Sequence, residues 1–269
     1  MRLGIFRSPD LARLMKKESR PLVYPPGGIG LISSAKSACT TAVLWYFAIA
    51  DLLDEAVKYD PWPHKFRIEK LLPSEVYQGW LKSDLTGLLW VRVIRDPYLR
   101  AVSSYRHVLR HDIQDAAIHD TLGISITDRG LSFVEFLEYL QGLNVAECNP
   151  HLMQQWHPIE RYVKVSVVNA DRCDLLQALY AFADPGATGR KMLESEIERI
   201  ARQHHSRRLG PSGDCSTTVL RRQDAQGAWP DYIDFLSPPT RRLIERIYTK
   251  DLTAYARFLS GQSAPRYAM

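Results

Sequence analysis

Gly30-Leu31-Ile32-Ser33-Ser34-Ala35-Lys36-Ser37-Ala38-Cys39-Thr40-Thr41-Ala42-Val43-Leu44-Trp45-Tyr46-Phe47 is the stretch on which the fold turns. Residues 30–33 read as the end of a short buried strand, 35–41 as a tight loop of small and hydroxylic side chains, and 42–47 as the apolar body of a helix. A strand that delivers a loop into a helix start suits an anion. Backbone amides, the positive end of the helix and the Lys36 ammonium would face its oxygens, with Thr40 and Thr41 adding hydroxyl donors. The loop lacks the glycine-rich pattern ending in Lys-Ser or Lys-Thr that marks nucleoside-triphosphate hydrolases.

Working outward, residues 88–94 form a second core strand that stops at Arg95-Asp96-Pro97. Tyr98, Val102, Tyr105 and Leu109 then make one apolar stripe at helical spacing, with Pro97 admissible in the first turn. Between the two units, Asp60-Pro61-Trp62-Pro63-His64 breaks any preceding helix. Residues 21–28 read as a turn-rich approach after a basic, helical start. Further on, Ser132 and Glu135 fit a capping box, 144–157 is irregular, and 162–168 is a β-branched strand. A helix follows through Leu175, Leu176, Leu179 and Tyr180, and Ala183-Asp184-Pro185-Gly186 punctuates the chain. Another helix runs from Ser237-Pro238 with Leu243, Ile244, Ile247, Tyr248, Tyr255 and Leu259 on its apolar face. The expected fold is α/β, a single domain over 1–269 with a central, mostly parallel sheet flanked by helices. Residues 1–27 would be an N-terminal extension, 30–110 a donor-binding core, 111–160 the acceptor-cleft elements and 161–260 a C-terminal core with helices.

Composition narrows the classes. The 269 residues are 45% hydrophobic and 24% charged, the profile of a globular protein. A net charge of +5 favours an anionic ligand, yet the basic residues are dispersed and no zinc-finger spacing or aromatic RNA motif occurs, so nucleic acid is not expected as a partner. Cys39, Cys148, Cys173 and Cys215 have neither metal-ligand spacing nor the density of a disulfide scaffold. The longest apolar stretch, 42–50, is far below membrane-spanning length, and Met1-Arg2-Leu3-Gly4 is not followed by a secretory segment. The expectation is a cytoplasmic protein with reduced thiols, no integral membrane segment and no metal; its oligomeric state is left open.

Two segments together resemble the nucleotide-dependent sulfotransferases, nearest to their carbohydrate branch. The family has a small-residue loop with lysine followed by Ser or Thr, then after a later strand an Arg-x-Pro-x-x-Arg-x-x-Ser-x-Tyr signature. Lys36-Ser37-Ala38-Cys39-Thr40-Thr41 is similar to the first, and Arg95 through Pro97, Arg100, Ser103 and Tyr105 are similar to the second. Weaker likeness continues through 149–155 and 236–251, so it spans about 30–258. Ala35 stands where the family usually has proline, and Asn169 where it often has an acidic residue. The resemblance implies a P-loop-like sulfotransferase fold and 3′-phosphoadenosine 5′-phosphosulfate (PAPS) as donor, with the bisphosphate PAP as product. Residues 36–41 would bind the 5′-phosphosulfate, Arg95 and Ser103 the 3′-phosphate, and a hydroxyl of a carbohydrate or glycosylated metabolite would be the acceptor.

In-line transfer needs charge stabilisation on the leaving phosphate and a base for the acceptor proton. Lys36 is the candidate for the first and His64 for the second, with His151 the runner-up and His107, His111 and the His204-His205 pair behind it. The bland readings are an exposed helix-start lysine, a packed histidine, and Thr40 and Thr41 serving only the helix start. Arg100 reads equally as a brace and as a ligand contact. Residues 197–213 carry a dense basic patch, of which 199–208 reads as a solvated helix face from which Arg207 or Arg208 could reach the 3′-phosphate. Competing functions are an ATP-dependent small-molecule kinase and a non-catalytic nucleotide-binding regulatory protein.

Overall fold

Gly30 shows why the sheet needs its particular residues. It lies in strand β2 (Ile29–Ser33) directly opposite Trp90 of strand β3 (Leu89–Ile94), and a Cβ on Gly30 would stand 2.5 Å from the indole. Only glycine leaves the fully buried Trp90 room to cover the strand, while the indole N–H is satisfied by Leu85 O at 2.9 Å.

The computed structural model describes residues 8–17, 21–204 and 213–261. In chain order its principal elements are α1 (Ser8–Lys17), β1 (Leu22–Tyr24), β2, α2 (Cys39–Ile49), α3 (Leu53–Tyr59), α4 (Pro63–Phe66), α5 (Glu75–Trp80) and β3. There follow α6 (Pro97–Arg110), α7 (Asp115–Leu122), α8 (Phe133–Gln141), β4 (Val165–Asn169), α9 (Leu175–Tyr180), α10 (Gly186–His204), α11 (Arg222–Gln226), α12 (Pro238–Ile247) and α13 (Thr249–Leu259). Contacts divide the chain into two compact units. One comprises Met1–Ile94, Gln155–Arg202 and Gly261–Met269, and the other Arg95–Gln154 and Gln203–Ser260.

The first unit holds a mixed four-stranded sheet in the order β1-β2-β3-β4, flanked by helices. Strands β2, β3 and β4 run parallel, as the two strand–loop–helix readings require, and β1 adds an antiparallel edge strand paired Val23↔Gly30. That edge strand was hidden inside the turn-rich approach because only three residues separate Pro21 from Pro25. Strand β4 begins at Val165 and not at 162, since the 3₁₀ turn Pro158–Arg161 is capped at Tyr162, three residues before it. Helix α2 is apolar on all sides and correspondingly buried from Ala42 to Phe47. Its polar tips are satisfied: Trp45 Nε1 donates to Ala183 O at 3.0 Å and Tyr46 OH to Val23 O at 2.7 Å. Under the sheet Arg92 pairs with Glu160 at 2.7 Å, both nearly buried, and Glu160 in turn accepts from the His157 amide at 2.8 Å.

The second unit is helical. Asp96 caps α6 by accepting from the Tyr98 amide at 2.8 Å, and Pro97 occupies its first turn. The expected capping box opens α8, with Ser132 and Glu135 bonding each other's backbone amides. Tyr105, Phe133, Phe136, Trp229 and Phe235 form an aromatic core with ring centroids 5.4–5.8 Å apart in successive pairs around Tyr105. The long C-terminal helix expected after Ser237 is in fact two, α12 and α13, broken at Tyr248. Tyr248 leaves helical geometry while its buried hydroxyl donates to Leu152 O at 2.6 Å. Helix α10 starts at Gly186, well before the 199–208 stretch expected as a helix face; its charged residues mask a sparse apolar stripe through Leu193, Ile197 and Ile200.

Candidate functional site

Ser33 ends β2 and the chain turns at once. The Ser37 amide donates to Ser34 O at 3.1 Å, closing a tight turn. Lys36 and Ala38 both take positive φ, 66° and 53°, a conformation that costs a residue with a Cβ roughly 1–2 kcal/mol. Ser37 between them does not, so the handedness alternates and successive amides are drawn toward a concave face, the arrangement that forms anion nests. Ala38 is the N-cap of α2, and its methyl group offers no side-chain acceptor to the first amides of the helix. The loop is pinned from beneath by Gln155, which is buried. Ser37 Oγ donates to its Oε1 at 2.7 Å and Ser34 Oγ to its backbone oxygen at 3.1 Å.

His64 closes the other side. The two prolines that break the chain at 61 and 63 start α4 at Pro63, which carries the imidazole to the loop: Nε2 lies 3.4 Å from Thr40 Oγ1 and 3.6 Å from Cys39 Sγ. Burial, then the charges of Arg67 and Lys36, push this histidine from 6.5 down to about 3. It is therefore neutral across the physiological range. Arg67 opens the π-helical turn Arg67–Leu71 that continues α4, one turn beyond His64. Burial lowers its own pKa, against the opposing influence of Cys39, Tyr77 and Tyr46. The first unit thus gathers Lys36, Ser37, Ala38, Cys39, Thr40, Thr41 and His64, and adds Arg67 and Gln155, which sequence reasoning missed. The i, i+3 spacing of His64 and Arg67 was the available signal.

Arg95 and Ser103 belong to the second unit. Arg95 follows β3 directly, with its guanidinium 5.3 Å over the Tyr232 ring, and Ser103 is half-buried on α6. The neighbouring Ser104 is the serine tied into the fold, donating to His151 O at 2.8 Å. Arg100 is a brace. It is buried, donates to Met153 O and lies 5.5 Å over the Tyr248 ring. His151, the alternative base, stacks on His107 with centroids 3.7 Å apart, and His107 lies 4.4 Å from His111. Arg207, Arg208 and His205 lie outside the described residues, as does the side chain of His204. Within the same basic run, Arg199 donates to Pro61 O at 2.9 Å and pairs with Glu196.

None of the four cysteines is in a disulfide. Among the described residues no group of three or more His, Cys, Asp or Glu side chains is placed to hold a metal ion, and no helix is long and apolar enough to cross a membrane. Comparison with protein-family models, with curated proteins and with solved structures found no match to this chain.

Proposed function

We propose that this protein transfers a sulfuryl group from PAPS to a hydroxyl of a carbohydrate or glycosylated metabolite, using a P-loop-like sulfotransferase fold. The observation that carries the reading is the convergence of Lys36, Arg67 and a neutral His64 on an N-terminally uncapped helix whose loop alternates in handedness. Such a cluster supplies what the 5′ end of the donor requires: amide donors, two cations and a proton acceptor. The likeness of Arg95, Arg100, Ser103 and Tyr105 to the family's second signature supports 3′-phosphate binding by Arg95 and Ser103.

In the reaction the acceptor oxygen attacks sulfur as the bond from sulfur to the bridging phosphate oxygen breaks. His64 takes the acceptor proton, and Lys36 stabilises the negative charge that grows on the leaving phosphate. The products are a sulfate ester and the bisphosphate PAP. His64 is a weak base in the unliganded protein, because burial, and then the charges of Arg67 and Lys36, disfavour its protonated form. A bound polyanion offsets those charges and raises its proton affinity when the acceptor is deprotonated. The low proton affinity also favours a second reading, nucleotide binding without transfer, in which His64 only packs the loop.

Lys36→Ala is expected to weaken bisphosphate binding at least tenfold in calorimetry, and Arg95→Ala similarly. His64→Gln is expected to bind the bisphosphate within about threefold of wild type while losing transfer of labelled sulfate. Unchanged affinity in Lys36→Ala would overturn the donor assignment. Full transfer by His64→Gln would remove that residue as the base, and transfer absent from the wild type across an acceptor panel would favour the binding-only reading.

A further inference from the structure

The second unit has a cavity of about 190 Å³ that takes no part in the donor reading. It opens where α8 and α12 lie against each other and α8 gives way at Gly142 to an irregular stretch. Six residues line it: Leu140 and Gln141 from the last turn of α8, Leu143 and Val145 from the stretch that follows, and Arg246 and Ile247 from the end of α12. Burial sorts them. Leu140 is fully buried and forms the floor, Leu143, Val145 and Ile247 are half-buried against the helical core, and Gln141 and Arg246 stand exposed at the rim. The backbone of the wall is held: the Leu143 amide donates to Leu140 O at 3.1 Å, and the Gln154 amide to Val145 O at 2.8 Å. The rim is polar and uncommitted, since neither the Arg246 guanidinium nor the Gln141 amide has a hydrogen bond or ion pair with any described residue. Glu245, the acidic neighbour of Arg246, is engaged elsewhere, accepting from Tyr98 OH at 2.8 Å. Of the described residues that line the cavity, Arg246 is the one that carries charge.

We infer that this cavity binds a small monocarboxylate with an aliphatic tail. The tail lies over Leu140, Leu143, Val145 and Ile247, and the carboxylate meets the Arg246 guanidinium and the Gln141 amide. Arginine presents parallel N–H donors that match the two oxygens of a carboxylate, whereas an amine of the same length would bring a second cation to the rim. The volume sets the length of the tail. A cavity of about 150 Å³ lined by aliphatic side chains suffices for benzene, so one of about 190 Å³ takes a tail of about five or six carbons. The inference stands apart from the sulfotransferase reading, because every lining residue belongs to the second unit and Lys36 and His64 belong to the first.

The test titrates the full chain with acetate, butanoate, hexanoate, 1-hexanol and hexylamine, followed by amide chemical shifts in NMR. Hexanoate is expected to bind more tightly than hexanol and hexylamine. Its affinity should exceed that of acetate by about two- to fourfold for each added methylene that the cavity covers. Arg246→Gln should weaken hexanoate about tenfold and remove its advantage over hexanol, the scale of a hydrogen bond to a charged group. Val145→Phe should fill the cavity and weaken hexanoate and hexanol alike; if that variant does not fold, Arg246→Gln decides, because its position is exposed. The proposal is overturned if hexanoate does not bind the wild type, if hexylamine binds as well as hexanoate, if affinity does not change from acetate to hexanoate, or if Arg246→Gln binds hexanoate normally. Loss of hexanoate binding in Lys36→Ala would place the carboxylate at the loop of the first unit and overturn it as well.

Discussion

At the residue scale, His64 carries the most testable electrostatics. Its folded-state pKa of about 3 lies below the ordinary 6.5, so the unfolded chain binds more protons between those values. Its contribution to stability is complete above pH 6.5 and falls as pH drops toward 3. An anion in the loop should reverse part of the shift, because Arg67 and Lys36 are two of its causes. NMR titration of the His64 ring, assigned with His64→Gln, should give a higher pKa in the bisphosphate complex than in the unliganded protein. An unchanged value would mean that no anion sits near those cations. Lys36 and His64 were legible in the sequence because a loop lysine and a histidine after a proline break are local signals. Arg67 and Gln155 were not. Arg67 depends on how α4 continues into a π-helical turn, and Gln155 reaches the loop across 118 residues of chain.

At the scale of elements, the sheet depends on close packing between β2 and β3. Gly30→Ala places a methyl group 2.5 Å from the Trp90 ring. Overpacking of this kind costs about 1–3 kcal/mol, to be read as a lower denaturant midpoint with the slope unchanged. A neutral result would mean that Trp90 can tilt away without loss. The β2–loop–α2 and β3–α6 passages and the start of α8 were legible because apolar runs, Pro97 and the Ser132 capping box act locally. The edge strand β1, the break at Tyr248 and the first half of helix α10 were not. Each is decided by tertiary partners: β1 by pairing with β2, Tyr248 by its bond to Leu152 O, and α10 by the few apolar residues it buries.

At the scale of the whole molecule, the two motifs proposed to bind the donor fall in different compact units, Lys36 in one and Arg95 in the other. The sequence held both motifs but carried no sign of this division, because the second unit is assembled from two separated stretches of chain. The net charge of +5 is modest, so the proposed nucleotide affinity rests on specific groups more than on the overall field. The most direct test of the central claim is calorimetric titration of the full chain with adenosine 3′,5′-bisphosphate beside ATP with magnesium. Selective, one-to-one binding of the bisphosphate is the predicted result. Absence of bisphosphate binding, or a clear preference for ATP with magnesium, would contradict it.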